Sequence, residues 1–245
     1  MNFTKFAPLA VCTATLFPIS LYADELTDER IKELVYEAIL ENPQIIMDAV
    51  RLLEERQQQD QAAAAAAALE TERDRLEQDP NAIVLANPDG DVTVVEFFDY
   101  NCPYCRRVMP QVDALVEQDP NVRLVYREWP ILGAGSVFAA RAALAARAQG
   151  KYEEFHVAMM GMQGRAEEAS VLRIAREVGL DIDQLRRDMD APEVDEHIQT
   201  SMELTRALGF SGTPSFVIGD ALIPGFVEAD VLIEQVAATR EAKKK

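Results

Sequence analysis

The stretch 99-DYNCPYCRR-107 decides how this chain is read. It places Cys102 and Cys105 two residues apart, with Pro103 and Tyr104 between them, and the only other cysteine in the 245 residues is Cys12. Pro103 reads as the first residue of a helix, which makes Cys102 its N-cap. A thiolate at that position meets otherwise unpaired amides and the positive end of the helix dipole. Its pKa is therefore expected below the free-thiol value of roughly 8.5. Cys102 is expected to be an exposed, ionised nucleophile. Cys105, one turn further in and more buried, is placed to attack any mixed disulfide formed at Cys102, which is the chemistry of thiol–disulfide exchange. Two plainer readings compete. A structural staple over two intervening residues would close a tiny loop and constrain little of the unfolded chain. A zinc half-site would need two more ligands, and His156 and His197 stand alone in helical segments. No metal and no cofactor is called for.

Upstream lies 92-VTVVEFF-98. Val92, Val94, Glu96 and Phe98 point to one face of a strand, and Thr93, Val95 and Phe97 to the other. Both faces are apolar, so the strand is expected to be central and Glu96 buried. A buried, unpaired carboxylate is disfavoured in its charged form, and its pKa should rise. Six residues before Cys102, Glu96 could exchange a proton with Cys105. The alternative is a carboxylate that reaches solvent or a basic partner and does nothing. Downstream, 211-SGTPSFVIG-219 places Pro214 at the opening of a strand. It is either an edge device or a cis proline that exposes the Thr213 backbone to an extended substrate.

The pattern around these motifs gives the organisation. Ile83–Ala86 and Val92–Phe98 are β-rich and separated by Asn87-Pro88-Asp89-Gly90, a strong turn signal. A helix is expected from Cys102 to about Val116 and a strand at Val122–Glu128. Only helical patterns follow over about 136–207. Strand signals return at 215–219 and 221–223, before a last helix from about Glu228 to Thr239. A βαβ unit and a closing ββα unit can form one mixed sheet with a helical block inserted between them.

Residues 24–61 look helical and acidic. Thr27 is an expected N-cap, with apolar stripes at Ile31, Leu34, Val35 and Ala38 and at Ile46, Ala49, Val50 and Leu53. Asn42-Pro43 separates the two helices. Each stripe is short and one face wide, so it must be buried against something. Residues 62–79 open with seven alanines and read as a helical spacer with almost nothing to bury. Residues 1–23 hold Lys5, an apolar run from Phe6 broken at Pro18, and Leu21-Tyr22-Ala23, which reads as a secretory signal peptide too short to span a bilayer. Its removal leaves 23 basic and 42 acidic side chains, a net charge of −19. That balance argues against nucleic acid as a partner. Export places the thiols in an oxidising compartment, here expected to be the periplasm.

FFDYNCPYC, a helical insert, and GTPSFVIG followed by IPG resemble the DsbA-like branch of the thioredoxin superfamily over about residues 80–240. The resemblance implies an α/β thioredoxin fold with a helical insert. It also implies Cys102 as nucleophile, Cys105 as resolving thiol, Glu96 as the family's buried glutamate, and Thr213-Pro214 as a cis-proline pair facing the cysteines. Pro103, Tyr104, Thr213 and Pro214 would touch substrate. Tyr104 stands where strongly oxidising members carry histidine, which argues against a purely oxidising role, and threonine before the cis proline is similar to what disulfide isomerases carry. The acidic helices ahead of the domain resemble the ScsC-like (suppressor of copper sensitivity) group, in which they form a trimerising stalk. The implied function is a trimeric disulfide isomerase acting on misoxidised exported proteins and kept reduced by a membrane thiol reductase. The competing readings are a monomeric dithiol oxidase or reductase, and a copper-tolerance protein binding Cu(I) through Met159, Met160 and Met162 together with the thiolates. Those methionines read more simply as fillers of core gaps.

Overall fold

The computed structural model describes residues 27–244. The expected signal peptide at 1–23, and Cys12 with it, lie outside the described residues. The chain divides into two compact units, one ending at Glu55 and one beginning at Arg56.

The first unit contains α1 (Asp28–Glu41) and the beginning of α2 (Gln44–Glu77). Thr27 caps α1 as expected, its Oγ1 accepting from the Arg30 amide at 3.3 Å. Asn42 and Pro43 fall between the two helices, because proline disfavours helical backbone in the residue before it. α1 buries no residue. Ile31, Leu34, Val35, Ile46, Val50 and Leu53, the large members of the two stripes, are all exposed.

The second unit holds a five-stranded sheet in the order β1-β3-β2-β4-β5. The strands are β1 (Ile83–Ala86), β2 (Val92–Phe98), β3 (Val122–Glu128), β4 (Ser215–Ile218) and β5 (Ala221–Pro224). β2 and β3 are parallel, joined by α3 (Pro103–Gln118); the other neighbours are antiparallel. The turn at Asn87–Gly90 is formed, but it does not make a hairpin: β1 pairs with β3, which lies between β1 and β2. The insert is α4 (Ala134–Ala145), a 3₁₀ turn (Ala146–Gln149), α5 (Tyr152–Met160), α6 (Glu168–Glu177), α7 (Ile182–Asp188) and α8 (Pro192–Ala207); α9 (Ala229–Ala242) ends the described fold.

β2 is central and its two faces feed two cores. Val92, Val94 and Phe98 pack with α3, α9 and the insert through Val108, Leu115, Phe155 and Leu232. Val95 and Phe97 pack on the opposite side with Trp129, Leu204 and Phe210, and with Leu69 and Leu76 of α2. This corrects the reading of 62–79 as a segment with almost nothing to bury. It is helical, but Leu69 and Leu76 are 3% and 0% exposed. Burying such a side chain contributes about 1.5–3 kcal/mol. Arg127, fully buried, fastens the same helix end: it donates to Asp79 at 2.7 Å and to the Arg75 carbonyl. Met159, Met160 and Met162 are all buried in the first core.

Candidate active site

β2 delivers the chain to the end of the sheet, and residues 99–102 turn it into α3. Cys102 occupies the N-cap position with φ −79° and ψ 117°, and Pro103 supplies the preset first-turn backbone. The cysteine is less accessible than expected, only 4% exposed. The reason is the loop before β4: the Thr213–Pro214 peptide is cis, and the Cys102 thiol donates to the Thr213 carbonyl at 3.2 Å. Thr213 is half-buried and Pro214 buried, while Pro103 and Tyr104 are exposed beside the sulfur's turn. The structure thus brings Cys102, Cys105, Pro103, Tyr104, Thr213 and Pro214 to one place.

The two sulfurs sit in opposite environments. Cys102 is held down at about 6, first by the hydrogen bond from the Cys105 thiol. Burial opposes this. The Thr213 side chain and the amides of Cys105 and Tyr104 add to the lowering, although Sγ closes no full N-cap hydrogen bond in the thiol form. Cys105 is fully buried and its thiol is pushed far up, by burial first, then by its hydrogen bond to Cys102 and the charge of Glu96. Glu96 is 3% exposed, and among the described residues no hydrogen bond or ion pair reaches its carboxyl group. Burial, reinforced by Asp113 and Cys102, raises it to about 8. Chemically, one sulfur is an anion near neutral pH, the second keeps its proton, and a mostly protonated carboxyl group lies beneath them.

Asp99 belongs to the site and was not singled out from the sequence. It is 1% exposed; Oδ1 accepts from the Asn101 amide at 2.7 Å, and Oδ2 from the Ile131 and Leu132 amides at 2.8 and 2.9 Å. The turn back onto Asn101 is a local Asx signal that could have been read. The two amides beyond β3 are visible only in the fold. The histidines are taken up elsewhere. His156 Nδ1 lies 3.0 Å from the Tyr100 hydroxyl, and its ring stacks on Tyr126. His197 Nδ1 faces the Asn81 carbonyl at 3.1 Å, and its Nε2 is 2.7 Å from Glu128 Oε2. A carbonyl can only accept, so Nδ1 carries the proton, and Nε2 accepts from the Glu128 amide at 3.3 Å. Among the described residues no cluster of three or more His, Cys, Asp or Glu could hold a metal ion.

Residues 93–237 match the family described as the DSBA-like thioredoxin domain, and residues 29–60 match the copper resistance protein ScsC N-terminal domain. A thioredoxin-like oxidoreductase from Silicibacter pomeroyi is 70% identical over 69% of this chain and 98% of its own, with a TM-score of 0.69. Proteus mirabilis ScsC in a transitional conformation is 27% identical over 90% of this chain and 98% of its own, with a TM-score of 0.66. A curated relative, the Na(+)/H(+) antiporter NhaA 3 of Salinispora tropica, is 32% identical over 143 residues, which are 57% of this chain. The chain spans only 22% of that protein's length.

Proposed function

Since the chain belongs to the DSBA-like thioredoxin domain family of thiol–disulfide oxidoreductases, we propose that it is a periplasmic disulfide isomerase that works as a homotrimer. The observation that carries the isomerase reading is the exposed apolar stripe on α1 and the start of α2, from Ile31 to Leu53. It lies in the region similar to the ScsC N-terminal domain, and apolar stripes of this size need a partner surface. Residues 24–61 are the oligomerisation region, and several active sites on one frame raise the thiol concentration around a client.

In the reaction the Cys102 thiolate attacks one sulfur of a client disulfide. A mixed disulfide forms and the other client sulfur leaves as a thiolate. That thiolate attacks a second client disulfide, and a later client thiolate displaces Cys102, so no net electrons move. When the client stalls, Cys105 attacks Cys102 Sγ and its proton passes to Glu96 in the minor fraction of molecules whose carboxyl group is ionised near neutral pH. The client departs reduced and Cys102–Cys105 becomes a disulfide. Two electrons from a membrane thiol reductase then restore the dithiol. Tyr104 and Pro103 form the exposed client side of the turn, and the Thr213 backbone beside the cis proline pairs with the extended client chain.

Deleting residues 24–61 is expected to give monomers with weakened refolding of a substrate carrying scrambled disulfides. Unchanged mass in solution together with unchanged refolding would overturn the proposal. Trapping the pair in cells by rapid alkylation separates it from the oxidase reading: the isomerase is reduced at rest.

A further inference from the structure

Three carbonyl groups converge on one guanidinium beside the reactive turn. Arg106 Nε and Nη2 donate to the Tyr100 carbonyl at 3.1 and 2.8 Å, and Nη1 donates to the carbonyls of Met162 and Gly164 at 3.2 and 2.8 Å. The Arg106 amide itself donates to the Cys102 carbonyl at 3.3 Å. The residue therefore sits one helical turn below Cys102, and its side chain folds back to hold a peptide two residues before that cysteine.

Asn101 grips the same part of the insert. Its Oδ1 accepts from the Ala166 amide at 2.7 Å, and its Nδ2 donates to the Ala166 carbonyl and to Ser136 Oγ, both at 3.1 Å. Gly135 permits this approach, because a Cβ there would stand 2.1 Å from the Ala166 carbonyl oxygen. The loop between α5 and α6 is thus joined to the turn that carries Cys102 from both Arg106 and Asn101. A guanidinium suits this place because its rigid fork of donors serves several acceptors while keeping its charge, whereas a lysine supplies the charge without the fork.

We infer that Arg106 is a positioning residue for disulfide exchange: it locks the 162–166 loop of the insert onto the Cys102 turn and keeps a permanent positive charge beside the sulfur, favouring the anionic nucleophile. The charged and titratable groups around that guanidinium are Cys102 and Cys105 on its own helix, Asp99 on the preceding turn and Arg165 on the insert loop. Only Arg165 repels it. Beneath the sulfurs, Glu96 on β2 adds no charge while it holds its proton. The inference rests on Cys102 being the nucleophile proposed above.

The test compares Arg106→Gln and Arg106→Lys with the unaltered mature chain, all with reduced thiols. Thiolate formation is followed by ultraviolet absorbance against pH, the alkylated cysteine is located by mass spectrometry, and amide exchange is followed in 162–166. Arg106→Gln should raise the thiolate midpoint by about one pH unit, since a nearby opposite charge shifts a pKa by that order. At pH 8 this leaves the reduced form roughly tenfold less favoured, which is a reduction potential about 30 mV more negative. Arg106→Lys should keep the midpoint near its original value. Both variants should accelerate exchange at Ala166 about tenfold or more, as a local clamp is lost. Labelling at Cys102 with an unmoved midpoint in Arg106→Gln, or with unmoved exchange in both variants, overturns this inference alone. Labelling at Cys105 overturns the nucleophile assignment and the inference with it. Should Arg106→Gln fail to fold, Arg106→Lys still decides: unchanged exchange at Ala166 refutes the clamp.

Discussion

Replacing Glu96 by glutamine should stabilise the protein, by an amount that grows with pH. The folded carboxyl group stays protonated to about 8 against an unfolded value of 4.5, chiefly through burial. Between those values the native state holds a proton that the unfolded chain has released. Stability therefore falls by about 1.4 kcal/mol for each pH unit over that window. At pH 7 the accumulated penalty is about 3 kcal/mol, and above pH 8 it levels off near 5 kcal/mol. Glutamine has nearly the shape of the protonated acid and carries no such penalty. The stability difference between variant and parent should be close to zero at pH 4.5, rise linearly through neutrality and then flatten. Urea unfolding of the reduced protein across this range measures it. Trp129 is the only tryptophan and lies in the core on the far face of the sheet, so its fluorescence reports the unit that contains Glu96. A flat difference would mean that Glu96 is ionised and paired in the folded protein. That would refute both its burial as a neutral acid and its role as a proton exchanger for Cys105.

Other outcomes follow from the same geometry. Alkylation of the reduced protein should map to Cys102 with a midpoint near pH 6; at pH 7 that makes it roughly thirtyfold more thiolate than an ordinary thiol, and a midpoint above 8 would contradict the site. Leu76→Ala should destabilise the second unit by about 2–5 kcal/mol in the same unfolding assay, as expected for a fully buried leucine; a loss below about half a kcal/mol would show that this end of α2 is a spacer after all. Glu128→Gln removes the buried carboxylate that accepts from the Tyr152 hydroxyl at 2.6 Å and should cost about 1–3 kcal/mol at pH 7. Despite the opposing effect of burial, His197 and Tyr152 hold the Glu128 carboxyl below its usual range. Its contribution is therefore complete above about pH 4.5 and fades as pH falls through the folded-state value, so the variant and parent should converge in acid.

Much of the reactive centre was legible because it is local. The Cys102–Cys105 spacing, Pro103 at the helix start and the double-faced apolar pattern around Glu96 are all properties of a few neighbouring residues. Backbone sterics and strand periodicity translate them directly into position. The same holds for the N-cap at Thr27, the break at Asn42-Pro43 and the strand and helix order of the second unit. Partners distant in the chain were not legible. Nothing near Asp99 announces the amides of Ile131 and Leu132. Nothing near Arg106 announces the carbonyls of Met162 and Gly164. The turn signal at Asn87–Gly90 says nothing of which strands pair, and β3 lies between β1 and β2, because a parallel crossover from β2 through α3 brings β3 to that edge.

The chain alone therefore singled out the candidate site residues and the order in which the elements run, since spacing and side-chain type suffice for that. Tertiary structure alone decided how covered Cys102 is, which distant groups hold its turn, and that Leu69 and Leu76 of an alanine-rich helix close the far side of the sheet. The physical reason is that burial and pairing depend on what the rest of the chain brings alongside, and a two-leucine stripe carries no label for the surface it will cover.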